Sequence, residues 1–263
     1  MPLGLETVNA QTFAPKPDRS VPRGFAWTGP VMLVCLRSVL LIAAQASLAL
    51  LLLLRGTPQP WRNAGDWWAV YGTVADVGCL LALHFFTRRE GLRLRDLLGP
   101  VRMRLGHDLW LGLGYYLLLF PVYFASTVVA KRLLFASDGN TLVRYLSHAH
   151  PLPLWATVYG LSVWWLIWSP TEEATYQAYC LPRWRQLTGN SWVSISMVGF
   201  WWTAQHCALP LILDWRYLLF RFLAFLPGIL LTMFIYLRTR RLAPMIFAHW
   251  LLDISAAIFH AIY

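Results

Sequence analysis

The chain has 263 residues, 58% of them hydrophobic and 13% charged, with a formal net charge of +10 and a mean hydropathy of +0.50. Soluble domains carry about 25% charged residues, so this composition excludes an ordinary water-soluble globular protein and indicates a membrane protein. Nor does the positive charge point to nucleic acid. The arginines cluster just outside apolar runs, where they report orientation against an anionic-faced bilayer, and membrane lipids are the expected partners.

In chain order, residues 1–29 are polar and contain Pro, Lys16, Arg19 and Arg23 but no apolar core of a signal peptide, which predicts a flexible tail. A first span runs from about Pro30 to Leu54 and carries Arg37, which either snorkels or faces the bundle interior. A loop over 55–66 leads to a second span, 67–87, with Asp76. An Arg37–Asp76 pair between the two helices reads as structural. Residues 88–108 hold Arg88, Arg89, Arg93, Arg95, Arg102 and Arg104 among leucines, the pattern of a basic amphipathic segment lying on a membrane surface. The alternative for this segment is a docking site for an acidic partner.

A third span covers 109–135, with Pro121 as a kink. The loop 136–152 contains His148 and His150, which read as surface histidines because no carboxylate accompanies them. Apolar stretches at 154–181, 191–213, 217–237 and 242–263 complete about seven crossings. Cys35, Cys79, Cys180 and Cys207 lie in or beside apolar runs without ligand spacing and read as buried free thiols.

The expected fold is therefore all-α, a polytopic membrane helix bundle of about seven transmembrane helices. It divides into the tail 1–29, N-terminal helices over 30–152 and a core over 153–263. With the N-terminus inside, the inner segments hold fourteen Lys and Arg and the outer ones seven, which places the N-terminus in the cytoplasm. Lys16 and Lys131 are the only lysines against twenty arginines; that bias hints at a GC-rich genome and a bacterial inner membrane.

Polar residues inside the spans carry the functional argument, because an intramembrane ionisable group is costly, about 2.5–3.5 kcal/mol on insertion scales. Glu172 and Glu173 are adjacent in Ser169-Pro-Thr-Glu-Glu-Ala-Thr-Tyr-Gln177. They point about 100° apart around a helix, so only one can face a given partner squarely. Trp202 and His206 are four apart, as are His249 and Asp253, so each pair shares a helix face. Counting helical rise from Arg183, Ser191 and Arg241 puts Glu172, His206, His249 and Asp253 within roughly 10 Å of one another in depth. His84 and His260 are also within spans but read as helix glue. Ser169 followed three residues later by Glu172, with Pro170 between, is a capping-box pattern; it marks either a helix beginning at mid-membrane depth or a simple proline kink.

Glu172-Glu173, then Trp202-x-x-x-His206, then His249-x-x-x-Asp253, in this order on successive spans, resembles the CPBP family. This is the CAAX prenyl endopeptidase and bacteriocin-processing group of intramembrane proteases, also called the Abi family. The resemblance covers roughly 153–257, with a weaker match at Gly91–Leu98. It implies that Glu172 is the general base with His206 as its partner. It also implies that His249 faces the oxyanion. Asp253 is then either kept protonated by burial or orients His249 by accepting its ring N–H.

The chain departs from the pattern at three places. Gln177 stands where the family's first motif has Arg, Trp202 where Phe is usual, and Asp253 where Asn is common. Gln177 and Trp202 are counted as supporting residues. The expected cofactor is none, with zinc through Glu172, His206 and His249 as the alternative. The expected partner is a membrane-anchored protein or peptide substrate cleaved by glutamate- and histidine-activated water. A non-catalytic member acting as an immunity or scaffolding protein, and an ion-coupled transporter, are the competing readings. No inverted repeat supports the latter.

Overall fold

The computed structural model describes residues 23–98, 105–147 and 152–262. Among them the only non-helical pairing is an isolated bridge between Ala208 and Leu211; the rest is helix and connection. Among the described residues four helices are long and apolar enough to cross a membrane: α1 (Arg23–Leu54), α3 (Trp68–Arg89), α4 (Leu105–Phe135) and α10 (Trp215–Thr239). The described chain is an all-α membrane helix bundle.

The amphipathic expectation for 88–108 falls partly outside the described residues, since 99–104, with Arg102 and Arg104, are not among them. Arg88 and Arg89 end α3, Leu105 opens α4, and between them lies a short 3-10 turn, Leu94–Leu98, in which Leu97 is buried while Arg95, like Arg93 before the turn, is exposed. The tail proper and the His148/His150 pair also lie outside the described residues.

Several expectations need correction. Residues 23–29 belong to α1, because Trp27 packs edge-on against Trp184 at 5.4 Å and the Pro30 carbonyl accepts from the Trp184 indole. The loops 55–66 and 136–152 contain α2 (Pro60–Gly65) and α5 (Gly139–Leu146), the latter capped by the Asp138 side chain, which accepts from the Thr141 N–H. His84 is exposed on α3, outside the bundle interior. Cys35 and Cys207 are half-buried; Cys79 and Cys180 are buried, and all four are free.

The largest correction concerns 154–188. It is a composite of α6 (Leu154–Ser162), α7 (Trp164–Glu172), a π-helical stretch (Glu173–Cys180) and α8 (Leu181–Thr188). No helix begins at Pro170, which lies inside α7. Ser169 does not cap; its hydroxyl donates to Asp253 Oδ2 at 2.9 Å. The helix changes character instead at Glu173, where bonding passes to the wider i→i+5 pattern, which is frequent at functional sites.

α9 (Ser191–Cys207) and α11 (Leu242–Ile262) complete the described helices. The element contacts put α4 across α10 and α11, and α1 against α3, α9 and the π stretch. The main core joins Leu33 and Leu83 to Tyr176, Tyr179, Trp202 and Met233. Large apolar side chains such as Leu50, Leu54, Leu81 and Leu117 cover the outside, as a bundle solvated by lipid requires.

Candidate active site

The two carboxylates sit at the junction of α7 and the π stretch, both essentially unexposed. Being adjacent on one helix, they diverge into different partner sets. Glu172 faces α1 and α9. Its Oε2 accepts the Trp202 indole N–H at 2.5 Å and lies 3.9 Å from His206 Nε2, and its Oε1 accepts from the Arg37 guanidinium. Glu173 faces α11, with Oε1 3.0 Å from His249 Nδ1.

His249 stands between two carboxylates, since its Nε2 lies 3.7 Å from Asp253 Oδ2 one turn further along α11. Asp253 in turn accepts from Ser169 of α7. The result is a chain of polar contacts, Glu173–His249–Asp253–Ser169, that leaves the α7–π segment and returns to it.

The scaffold around His206 explains its placement. His206 is in the last turn of α9, whose terminal carbonyls lack intrahelical donors. Arg221 of α10 supplies them, donating through Nε to the His206 carbonyl and through Nη2 to the Leu209 carbonyl, each at 3.0 Å. The loop that follows is clasped by Gln45 of α1, which exchanges two hydrogen bonds with Leu211, and by the Trp61 indole. The imidazole lies flat on Phe225, ring centroids 4.0 Å apart and 11° from parallel. Trp202 is likewise fixed from behind by Tyr176, stacked at 5.2 Å.

All five proposed catalytic positions, together with Trp202, thus meet in one cluster built from α7, the π stretch, α9 and α11. Gln177 does not join it. Its side chain is buried, and neither amide atom makes a hydrogen bond to the protein. Sequence reasoning missed three contributors. Arg37 pairs with Asp76, yet it also reaches Glu172 and Gln205. Gln205 and Ser169 carried signals of their own, as polar residues beside His206 and Glu172 within apolar runs.

Residues 152–255 match the family model for type II CAAX prenyl endopeptidase, Rce1-like. Residues 152–255 are an Rce1-like domain. Comparison with the curated proteins and with the solved structures returned no match. The matched region contains every residue of the cluster except Arg37 and Asp76, and the four long apolar helices indicate an integral membrane protein.

A zinc ion fits this donor set poorly. Zinc takes three protein ligands in a catalytic site. Among the described residues no three His, Cys, Asp or Glu side chains converge so as to hold a metal. Glu172, the central donor of any such set, has both oxygens engaged by N–H donors, one of them on a cation that would repel a metal.

Proposed function

We propose that the protein is an intramembrane endopeptidase that hydrolyses a peptide bond of a membrane-anchored protein or peptide, with Glu172 as the water-activating base. One observation carries this reading: the 3.9 Å separation of Glu172 Oε2 and His206 Nε2, two buried side chains of the Rce1-like domain. That distance is too long for a direct hydrogen bond and suits a water bonded to both at about 2.8 Å.

The steps follow from the placement. Glu172 takes a proton from the water as its oxygen bonds to the scissile carbonyl carbon, and the carbonyl electrons move onto oxygen. His206 holds the water's lone pair toward the carbon by accepting its second O–H. The oxyanion is met by a donor from the His249 side of the cluster, where a positioned N–H in a dry site lowers the barrier far more than it would in water. Collapse breaks the C–N bond, and the proton on Glu172 passes to the leaving amine. Glu173 and Asp253, flanking His249, set its ring orientation.

The experiment is cleavage in proteoliposomes by wild type and by Glu172→Gln, an isosteric change that cannot take the proton. A loss of at least about 100-fold in kcat is expected, with uncleaved membrane peptides accumulating in cells that carry the variant. Cleavage by the Gln variant at the wild-type rate would sink the endopeptidase reading.

A further inference from the structure

We propose that Arg37, on the first membrane helix and outside the Rce1-like domain, is the positioning residue for Glu172. The proposal rests on the endopeptidase reading for its kinetic arm and on the cluster's geometry alone for its spectroscopic arm.

Arg37 is completely buried, and its guanidinium is fixed on two sides before it meets Glu172. Nε and Nη2 both donate to Asp76 Oδ1, at 2.9 and 2.6 Å. One face lies over the Trp168 ring, 3.9 Å from its centroid. A planar guanidinium clamped at one edge and on one face has no freedom left to rotate, so the direction of its remaining nitrogen is set. That nitrogen, Nη1, donates to Glu172 Oε1 and to Gln205 Oε1.

The consequence falls on Glu172. With Oε1 held by Arg37, the carboxylate can turn only so as to leave Oε2 toward Trp202 and His206. Arg37 therefore selects which oxygen faces the water-binding position. It also offsets the desolvation of a carboxylate that has no solvent exposure, a cost that a neutral hydrogen-bond donor meets only in part.

Gln177 cannot share this task, because its amide is neutral and makes no hydrogen bond to the protein. The first span thus brings to the domain a cation that the domain's own helices do not place on Glu172. Gln205, the neighbour of His206, accepts from the same Nη1 and ties the base's anchor to the helix that carries its partner.

Removing Arg37 alone would strand Asp76 as a buried charge, so the test takes the pair together. Arg37→Gln/Asp76→Asn is expected to insert and fold, with kcat about 100-fold below wild type and KM within about threefold. Adding Gln177→Arg, which places a cation five residues along the same helical run, is expected to restore at least a tenth of the rate. The second readout needs no turnover: the indole N–H resonance of Trp202 in 15N-labelled protein, assigned with Trp202→Phe. It should move in the double variant by about as much as in Glu172→Gln. Arg37→Lys, which keeps the charge but not the fork, should lose about tenfold in kcat and shift the same resonance by less.

A double variant, or Arg37→Lys should the double variant not fold, with kcat within threefold of wild type and an unmoved Trp202 resonance would overturn the assignment. Should wild type itself fail to cleave, the endopeptidase reading falls, while the Trp202 resonance still decides whether Arg37 positions Glu172.

Discussion

Trp202 gives its indole N–H to Glu172 Oε2 at 2.5 Å, the same oxygen that faces His206. A carboxylate oxygen held by a short charge-assisted hydrogen bond has one orientation, and the water it polarises then has one approach. Trp202→Phe keeps an aromatic ring to stack on Tyr176 and removes only the donor. A hydrogen bond to a charged group contributes about 1.5–3 kcal/mol, so kcat should fall about 10- to 100-fold with insertion unchanged. Steady-state cleavage in proteoliposomes measures this, and an undiminished kcat would mean the indole only packs.

His249 and Asp253 should respond unequally to substitution. His249→Ala deletes the ring that Glu173 and Asp253 flank, and a drop in kcat of about 10²–10³ is expected for losing a positioned donor. Asp253→Asn keeps an oxygen that can accept from the Ser169 hydroxyl, so activity should stay within about fivefold of wild type. Asp253→Ala loses that acceptor and should be clearly worse than Asn. Equal activity of the Asn and Ala variants would show that the Ser169 contact does not matter.

How far such contacts can be read from sequence differs between elements. The spans at 68–89 and 215–239 follow from apolar runs of membrane length, and the (i, i+4) pairs Trp202/His206 and His249/Asp253 follow from helical spacing. The inward side of α3 does not follow, because a helix that is apolar all round carries no periodic signal; hence His84 is outside while Asp76 is inside. The capping-box signal at Ser169 is local, and the fold overrides it: α11 brings Asp253 to take the hydroxyl, and the helix runs on through Pro170. The π stretch over Glu173–Cys180 has no signature in the sequence. Arg37 was legible as a costly intramembrane charge with Asp76 as partner. Its reach to Glu172 depends on the rotation of α1 against α9, which spacing along one chain does not encode.

Asp214 supports a prediction about pH. It caps α10 by accepting from the Arg216 and Tyr217 N–H groups, and its second oxygen accepts the Tyr145 hydroxyl at 2.7 Å. The Tyr145 bond first, then those N–H groups, hold its carboxyl below the usual carboxylate range. A depressed value in the folded state contributes stability above the unfolded value, about 3.9, and loses it as pH falls through the folded one. Asp214→Ala should therefore cost about 1 kcal/mol at pH 7 and progressively less below pH 4. Melting of the detergent-solubilised protein at pH 7 and pH 3 checks this; a difference that stays constant would remove the carboxylate from the explanation.

The donor geometry around Glu172 predicts indifference to chelation. Both of its oxygens already accept from N–H donors, and among the described residues no third ligand joins it and a histidine. Cleavage by protein dialysed against a strong chelator should stay within about twofold of the untreated rate, since a zinc hydrolase loses its bound nucleophile with the ion. Loss of activity that returns on adding zinc alone would put a metal at this site and displace Glu172 as the base.

At Gly112 of α4 the backbone of α11 comes close. A Cβ there would stand 2.8 Å from the Pro244 carbonyl oxygen and 2.8 Å from the Phe247 ring. The carbonyl belongs to the first turn of α11 and cannot swing aside as a side-chain tip can, so the helices must separate. Small residues at such crossings are what let membrane helices pack closely, and overpacking costs about 1–3 kcal/mol. The displacement would be felt at His249, two residues past Phe247, and so at its 3.0 Å contact with Glu173. Gly112→Ala should thus lower the melting temperature and reduce kcat together, although Gly112 lies on a helix that contributes nothing to the cluster. Gly106→Ala, where the added carbon meets no neighbouring atom within 4 Å, is the control and should change neither. Equal behaviour of the two variants would mean that the α4–α11 contact does not set the position of His249.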